Sequence, residues 1–123
     1  MHKHARAAIV AIGLAALVVW PAAAHHSHAM FDHSKEESVT GTVTAFLYRN
    51  PHVFLYLDAK NADGKAVNWA VEMSNIANME SRGIFASTFR PGDVVTVKLH
   101  RLRDGRPGGN YVSVVAADGK AYD

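Results

Sequence analysis

The stretch "AAAHHSHAMFDH" (residues 22–33) holds His25, His26, His28 and His33 within nine positions. Imidazole is the commonest protein ligand for transition metals. If the chain begins at His25, that residue offers an α-amine and a ring nitrogen together, and the two can close a chelate ring on a metal. Such an amine titrates near ~7.7–8.0 and a free histidine near ~6.5, so both release protons to a metal at neutral pH. Amine and imidazole nitrogens suit Cu(II), which heads the divalent affinity order. No cysteine and no acid-rich set accompanies the histidines to favour zinc. The strict amino-terminal copper motif has histidine third, where this chain carries Ser27, so a further imidazole must come from the folded domain, and His52 is the candidate. The expected metal residues are therefore His25, His26, His28 and His52, with copper as the expected cofactor. A His-rich tail that binds metal adventitiously is the alternative. Met30 is either a soft thioether ligand or, beside Phe31, a packing residue.

His25 comes first only if a leader is removed. Met1 to Arg6 is basic without acids, Ala7–Trp20 is apolar, and Pro21 precedes Ala22-Ala23-Ala24. A basic start, a short apolar run and an Ala-x-Ala end form a secretory signal peptide. The apolar run is short of the ~20 residues that span a bilayer, so cleavage after Ala24 and no lasting membrane insertion are expected. Of 13 Lys and Arg, Lys3 and Arg6 leave with the leader, and the remainder balance the 11 Asp and Glu. A formally neutral mature chain lacks the electrostatic footprint of a nucleic-acid binder. Export without cysteine fits a bacterial periplasm or exterior. Stability must then come from the packed core of one small domain.

The elements that would position His52 are mostly strands. Residues 1–24 read as leader, 25–37 as a His-rich arm without periodicity, and 38–123 as the folded domain. "SVTGTVTAFLYRN" alternates in the manner of a half-buried strand, and Gly41 within it suggests a bend or bulge. "HVFLYLDAK" and "KAVNWAVEM" flank "NADG", a hairpin signal. A type I turn with Gly64 in the left-handed region pairs residues whose numbers sum to 126. Leu57 then faces Trp69, Leu55 faces Val71 and Val53 faces Met73, which buries one face and makes Trp69 a core residue. Tyr56 with Ala70 and Phe54 with Glu72 form the other face, which His52 shares by parity. Ser74 is the expected helix cap and Gly83 the stop, with Ile84 reaching back to Met79. "PGD" turns into "VVTVKLHRL", "RDGRPGGN" reads as a loop, and "YVSVVAA" as the last strand. The expected fold is mainly β, a small five-stranded OB-like barrel with one helix between strands 3 and 4.

Those elements place His52 diagonal to Glu72 at a strand entrance held by Pro51. It is there either to ligate a metal or to hydrogen-bond the loop. The same face suits a second class of function, since OB barrels bind oligosaccharides or oligonucleotides on strands 2 and 3 and the flanking loops. Phe54, Tyr56, Glu72 and Arg49 are the expected contacts for an oligosaccharide or other small envelope ligand, with aromatic stacking as the main force. The loop arginines 101, 103 and 106 sit beside Asp104 and read equally as a solvated loop. No strained elbow surrounds Ser27, Ser34 or Ser38, and nothing sets Glu36 and Glu37 apart as a catalytic pair. The expectation is a binding protein and not an enzyme.

The mature start "HHS", the segment "RNPHVFLYLD", the "PGD" turn and the "RDGRPGG" loop together resemble a family of small secreted bacterial proteins known as a domain of unknown function. The resemblance spans nearly all of the mature chain and is carried most specifically by Asn50-Pro51-His52 and by the paired histidines. It implies export and a fold similar in element order to exported bacterial OB-fold proteins. It brings no activity and no catalytic residues.

Overall fold

The structure, a computed structural model, describes residues 28–123. Residues 1–24, expected from the sequence to be a leader, and the two histidines His25 and His26 lie outside the described residues. The elements in chain order are β1 (Glu37–Leu47), β2 (Phe54–Lys60), β3 (Ala66–Glu72), α1 (Ile76–Ser81), β4 (Val94–Arg101), β5 (Gly108–Val115) and β6 (Ala121–Tyr122). The sheet order is β3-β2-β1-β4-β5-β6, and β5 also pairs with β3, in parallel. That second pairing closes five strands into a barrel with one short helix between the third and fourth. The two-residue β6 folds back on the end of β5 and adds a short hairpin beyond the five expected strands.

The second hairpin forms in the register that burial requires. Leu57 faces Trp69, Leu55 faces Val71, Tyr56 faces Ala70 and Phe54 faces Glu72. The turn works as its residue types dictate. Gly64 adopts φ +77°, its N–H donates to Asn61 O at 3.0 Å, and Asn61 Oδ1 accepts from the N–H groups of Asp63 and Lys65. One face of each strand is then apolar and dry: Leu55, Leu57, Val71, Val97 and Leu99 are fully buried.

Several local expectations need correction. Gly41 does not form the bulge; the register of β1 slips between Val43 and Ala45. Gly41 instead marks a close crossing, where a Cβ would stand 2.5 Å from Asp58 O. The slip reverses the parity of β1, and Phe46 packs edge-on against Phe89 at 5.3 Å. Asn75, not Ser74, caps α1, its side chain accepting from Asn78 N–H at 2.8 Å. The helix ends in a Schellman motif at Gly83, with Ile84 N–H donating to Met79 O at 2.9 Å. β5 begins inside the stretch that reads as loop. Gly108 and Gly109 are buried there, and a Cβ on Gly109 would stand 2.5 Å from His100 O. Only glycine allows β5 to approach β4 that closely, and at the closing β3–β5 pair a Cβ on Gly108 would stand 2.8 Å from Ala70 O.

The arm is docked from residue 28 onward. Phe31 is 3% exposed and bridges Leu102. Arg103 N–H donates to Met30 O and Asp32 N–H to Arg101 O, each at 2.8 Å, while Arg103 Nε–H donates to Phe31 O at 3.1 Å. Phe31 is thus the packing residue, and Met30 is 44% exposed.

Candidate metal and ligand site

His52 stands in the loop between β1 and β2, two residues before β2 begins. Glu72 closes β3, and Phe54 opposite it fixes the diagonal relation to His52. The result is a short contact between His52 Nδ1 and Glu72 Oε1 at 2.6 Å. The Glu72 side chain is only 18% exposed, against 42% for His52, so the carboxylate is the more anchored partner. A carboxylate can only accept, so Nδ1 carries a proton and Nε2 is the ring nitrogen left for another partner.

The docked arm brings His28 to the same place. His28, Phe31, His52, Glu72, Arg82 and Tyr111 all line one cleft of about 220 Å³. The arm is set there by Phe31 in the core and by a turn in which His33 Nε2–H donates to His28 O at 3.1 Å. The His33 ring lies 4.8 Å from that of His100, whose Nδ1–H donates to Lys35 O at 2.9 Å. Among the described residues, no three metal-binding side chains converge on one point. His28 and His52 share only the lining of one cleft, and His25 and His26 lie outside the described residues.

The opposite wall of the cleft escapes a hairpin argument. Arg82 follows α1 and donates from Nη1 to the Tyr111 hydroxyl at 2.6 Å. Parallel pairing of β5 with β3 puts Asn110 beside Glu72. Neither contact can be read from a strand and its neighbour in sequence, because both depend on barrel closure. Beyond the end of β1, Tyr48 donates its hydroxyl to Ile84 O at 2.7 Å. Burial pushes that hydroxyl above its ordinary range, and Glu80 adds to the shift.

The second set of expected contacts divides. Phe54 and Tyr56 are half-buried and stack on each other, with centroids 6.0 Å apart. Phe54 lines a smaller adjoining cleft of about 180 Å³ together with Phe31, Glu72 and Arg106. Tyr56 lines neither cleft, and Arg49 is exposed in the β1–β2 loop and lines neither. The loop arginines serve the chain itself. Arg103 holds the arm, Arg106 pairs with Asp104 at 2.7 Å, and Arg101 lies over Trp69 with its guanidinium carbon 5.1 Å from the ring centroid. Hydrogen bonds from Arg106, its backbone N–H first, hold the Asp104 carboxyl below its usual range. Trp69 itself is half-buried, not the enclosed core residue its register suggests, because its end of the barrel is open.

No helix among the described residues is long and apolar enough to cross a membrane. Comparison with curated proteins gives no match. Among solved structures, the mitochondrial single-stranded DNA-binding protein Rim1 of S. cerevisiae is similar at 12% identity and a TM-score of 0.51. The similarity covers 67% of this chain and 92% of that one. At that identity the likeness concerns the fold, and it agrees with the OB-type strand order. Residues 13–111 match a family of unknown function, DUF6152, and the chain belongs to that family.

Proposed function

We propose that the protein is an exported binding protein, not an enzyme, that takes a copper ion in the cleft between its N-terminal arm and its barrel. Removal of the leader after Ala24 makes His25 the terminal residue and delivers the chain to the periplasm or the exterior. The observation that carries this reading is the meeting of His28 and His52 on one cleft, with His52 held through Nδ1 by Glu72. A carboxylate on one ring nitrogen aims the other and raises its basicity as a metal ligand. Nε2 of His52, the amine and ring of His25, and the rings of His26 and His28 would hold the ion. A nitrogen set of this type favours Cu(II) over other divalent metals.

Nucleic acid is not the proposed partner, although the similar yeast protein binds single-stranded DNA. The mature chain is formally neutral, and of the loop arginines Arg103 holds the arm and Arg106 pairs with Asp104. Phe54 at the adjoining cleft favours the second reading, an OB-type module for an oligosaccharide or other small envelope ligand with no metal role. Metal analysis of protein purified from the periplasm, with its intact mass, tests the first reading. Stoichiometric copper on a chain lacking residues 1–24 is the expected result. A full-length chain without copper contradicts it.

A further inference from the structure

The two ends of the barrel differ. At one end the segment after β3 forms a plug, with Met79, Ile84 and Phe89 buried. That segment adjoins the end of β1, as the Phe46–Phe89 and Tyr48–Ile84 contacts show. The opposite end is formed by the start of β1, the end of β2, the start of β3 and the end of β4, and there a cleft of about 430 Å³ opens. Its floor is apolar, from Val39, Ala59, Val67 and the half-buried Trp69. The sequence breaks pattern at this place. The inward positions of β4 run Val95, Val97, Leu99 and then Arg101, so an arginine stands where an apolar plug would complete the series. Lys60 joins it on the rim, and Lys60 makes no ion pair among the described residues. Glu37 meets Arg101 only at 3.5 Å, with both side chains nearly half exposed, a pair that contributes little.

We propose that this open mouth is a second binding site, separate from the histidine cleft, for a small organic anion with a flat apolar body, of the arylcarboxylate class. Barrel mouths are common ligand sites, and the volume lies within the ~300–1,000 Å³ typical of them. The apolar body replaces water against Trp69, Val39 and Val67. Arg101, seated over Trp69, exchanges its weak partner Glu37 for the carboxylate, for which its planar fork is suited, and Lys60 adds a second positive charge.

The test titrates the full chain with 1-naphthoate and follows the amide and indole N–H signals by nuclear magnetic resonance, with 1-naphthalenemethanol as the uncharged comparator. A Trp69→Phe variant identifies the Trp69 indole signal apart from that of Trp20. Saturable movement of the Trp69 indole signal is expected, with naphthoate binding at least about tenfold more tightly than the alcohol. Arg101→Gln should reduce naphthoate affinity by a similar factor and leave the alcohol unaffected. Lys60→Gln, at an exposed position that does not threaten folding, should weaken naphthoate binding to a lesser degree. Equal affinity for the acid and the alcohol, indifference to both substitutions, or signal changes confined to the Phe54–Tyr56 face would overturn the proposal.

Discussion

His52 shows how one contact turns a surface side chain into a directed one. Its ring is partly exposed, yet Glu72 at 2.6 Å fixes both its proton and its orientation. Glu72→Gln keeps the shape of the contact but removes the charge that raises the basicity of Nε2. Copper affinity should fall by about tenfold or more without loss of fold, as read by competition titration against a chelator of known affinity. An unchanged affinity would make His52 a loop residue. His52 and Glu72 were legible as a diagonal pair because strand alternation and a hairpin register place them. Arg82, Asn110 and Tyr111 were not, because pairing across the closed barrel brings them to the cleft. A smaller prediction concerns Asp32, whose carboxyl is held below its usual range by the Ser34 hydroxyl first and the Ser34 backbone N–H second. A depressed value means that this contact favours the folded arm above the ordinary carboxylate pKa and is lost as pH falls through the lowered one. The Ser34 amide signal should therefore titrate below pH 3.8. A midpoint at or above the ordinary value would show that the arm's turn does not form.

Among the elements, the arm departs most from what its composition suggests. A polar, His-rich segment without periodicity reads as an arm with no marked seat on the domain, and the single aromatic in it carries no pattern of its own. In the folded chain Phe31 is enclosed beside Leu102, and backbone and side-chain hydrogen bonds, that from His100 to Lys35 among them, tie the arm to the β4–β5 region. Phe31→Ala should cost about 3–5 kcal/mol as a buried aromatic truncation, measured by urea unfolding. A loss under about 0.5 kcal/mol, the range of surface changes, would mean an undocked tail. The second hairpin is the opposite case. Its period of two and its Asn-Ala-Asp-Gly turn act together, so the pairing of Leu57 with Trp69 follows from the residues alone. The fifth strand was legible from Tyr111 onward, but its start was not, since Gly108 and Gly109 serve close packing and not turning. Gly109→Ala should destabilise the barrel by about 1–3 kcal/mol, because a Cβ would press on the His100 carbonyl and the Leu99 side chain. Thermal denaturation that matches the parent protein would show that the β4–β5 packing is looser than these distances require.

For the whole molecule, a barrel plugged at one end and open at the other leaves three distinct surfaces, namely the histidine cleft, the Phe54 edge and the Trp69 mouth. Alternation along the strands foretold the closed core, but Trp69 was read as enclosed because register says which face a residue takes and nothing about which barrel end is stoppered. The same limit hid the meeting of arm and barrel that supports the copper reading. Calorimetric titration of Cu(II) tests that reading most directly, using the chain that starts at His25, the same chain with one residue added before it, and its His52→Ala variant. The added residue converts the α-amine to an amide, a poor donor. Affinity should fall at least about tenfold, roughly 1.4 kcal/mol, in each altered chain, with the fold of the His52→Ala variant intact. Equal affinity across all three would contradict the account and leave the histidines as a polar arm.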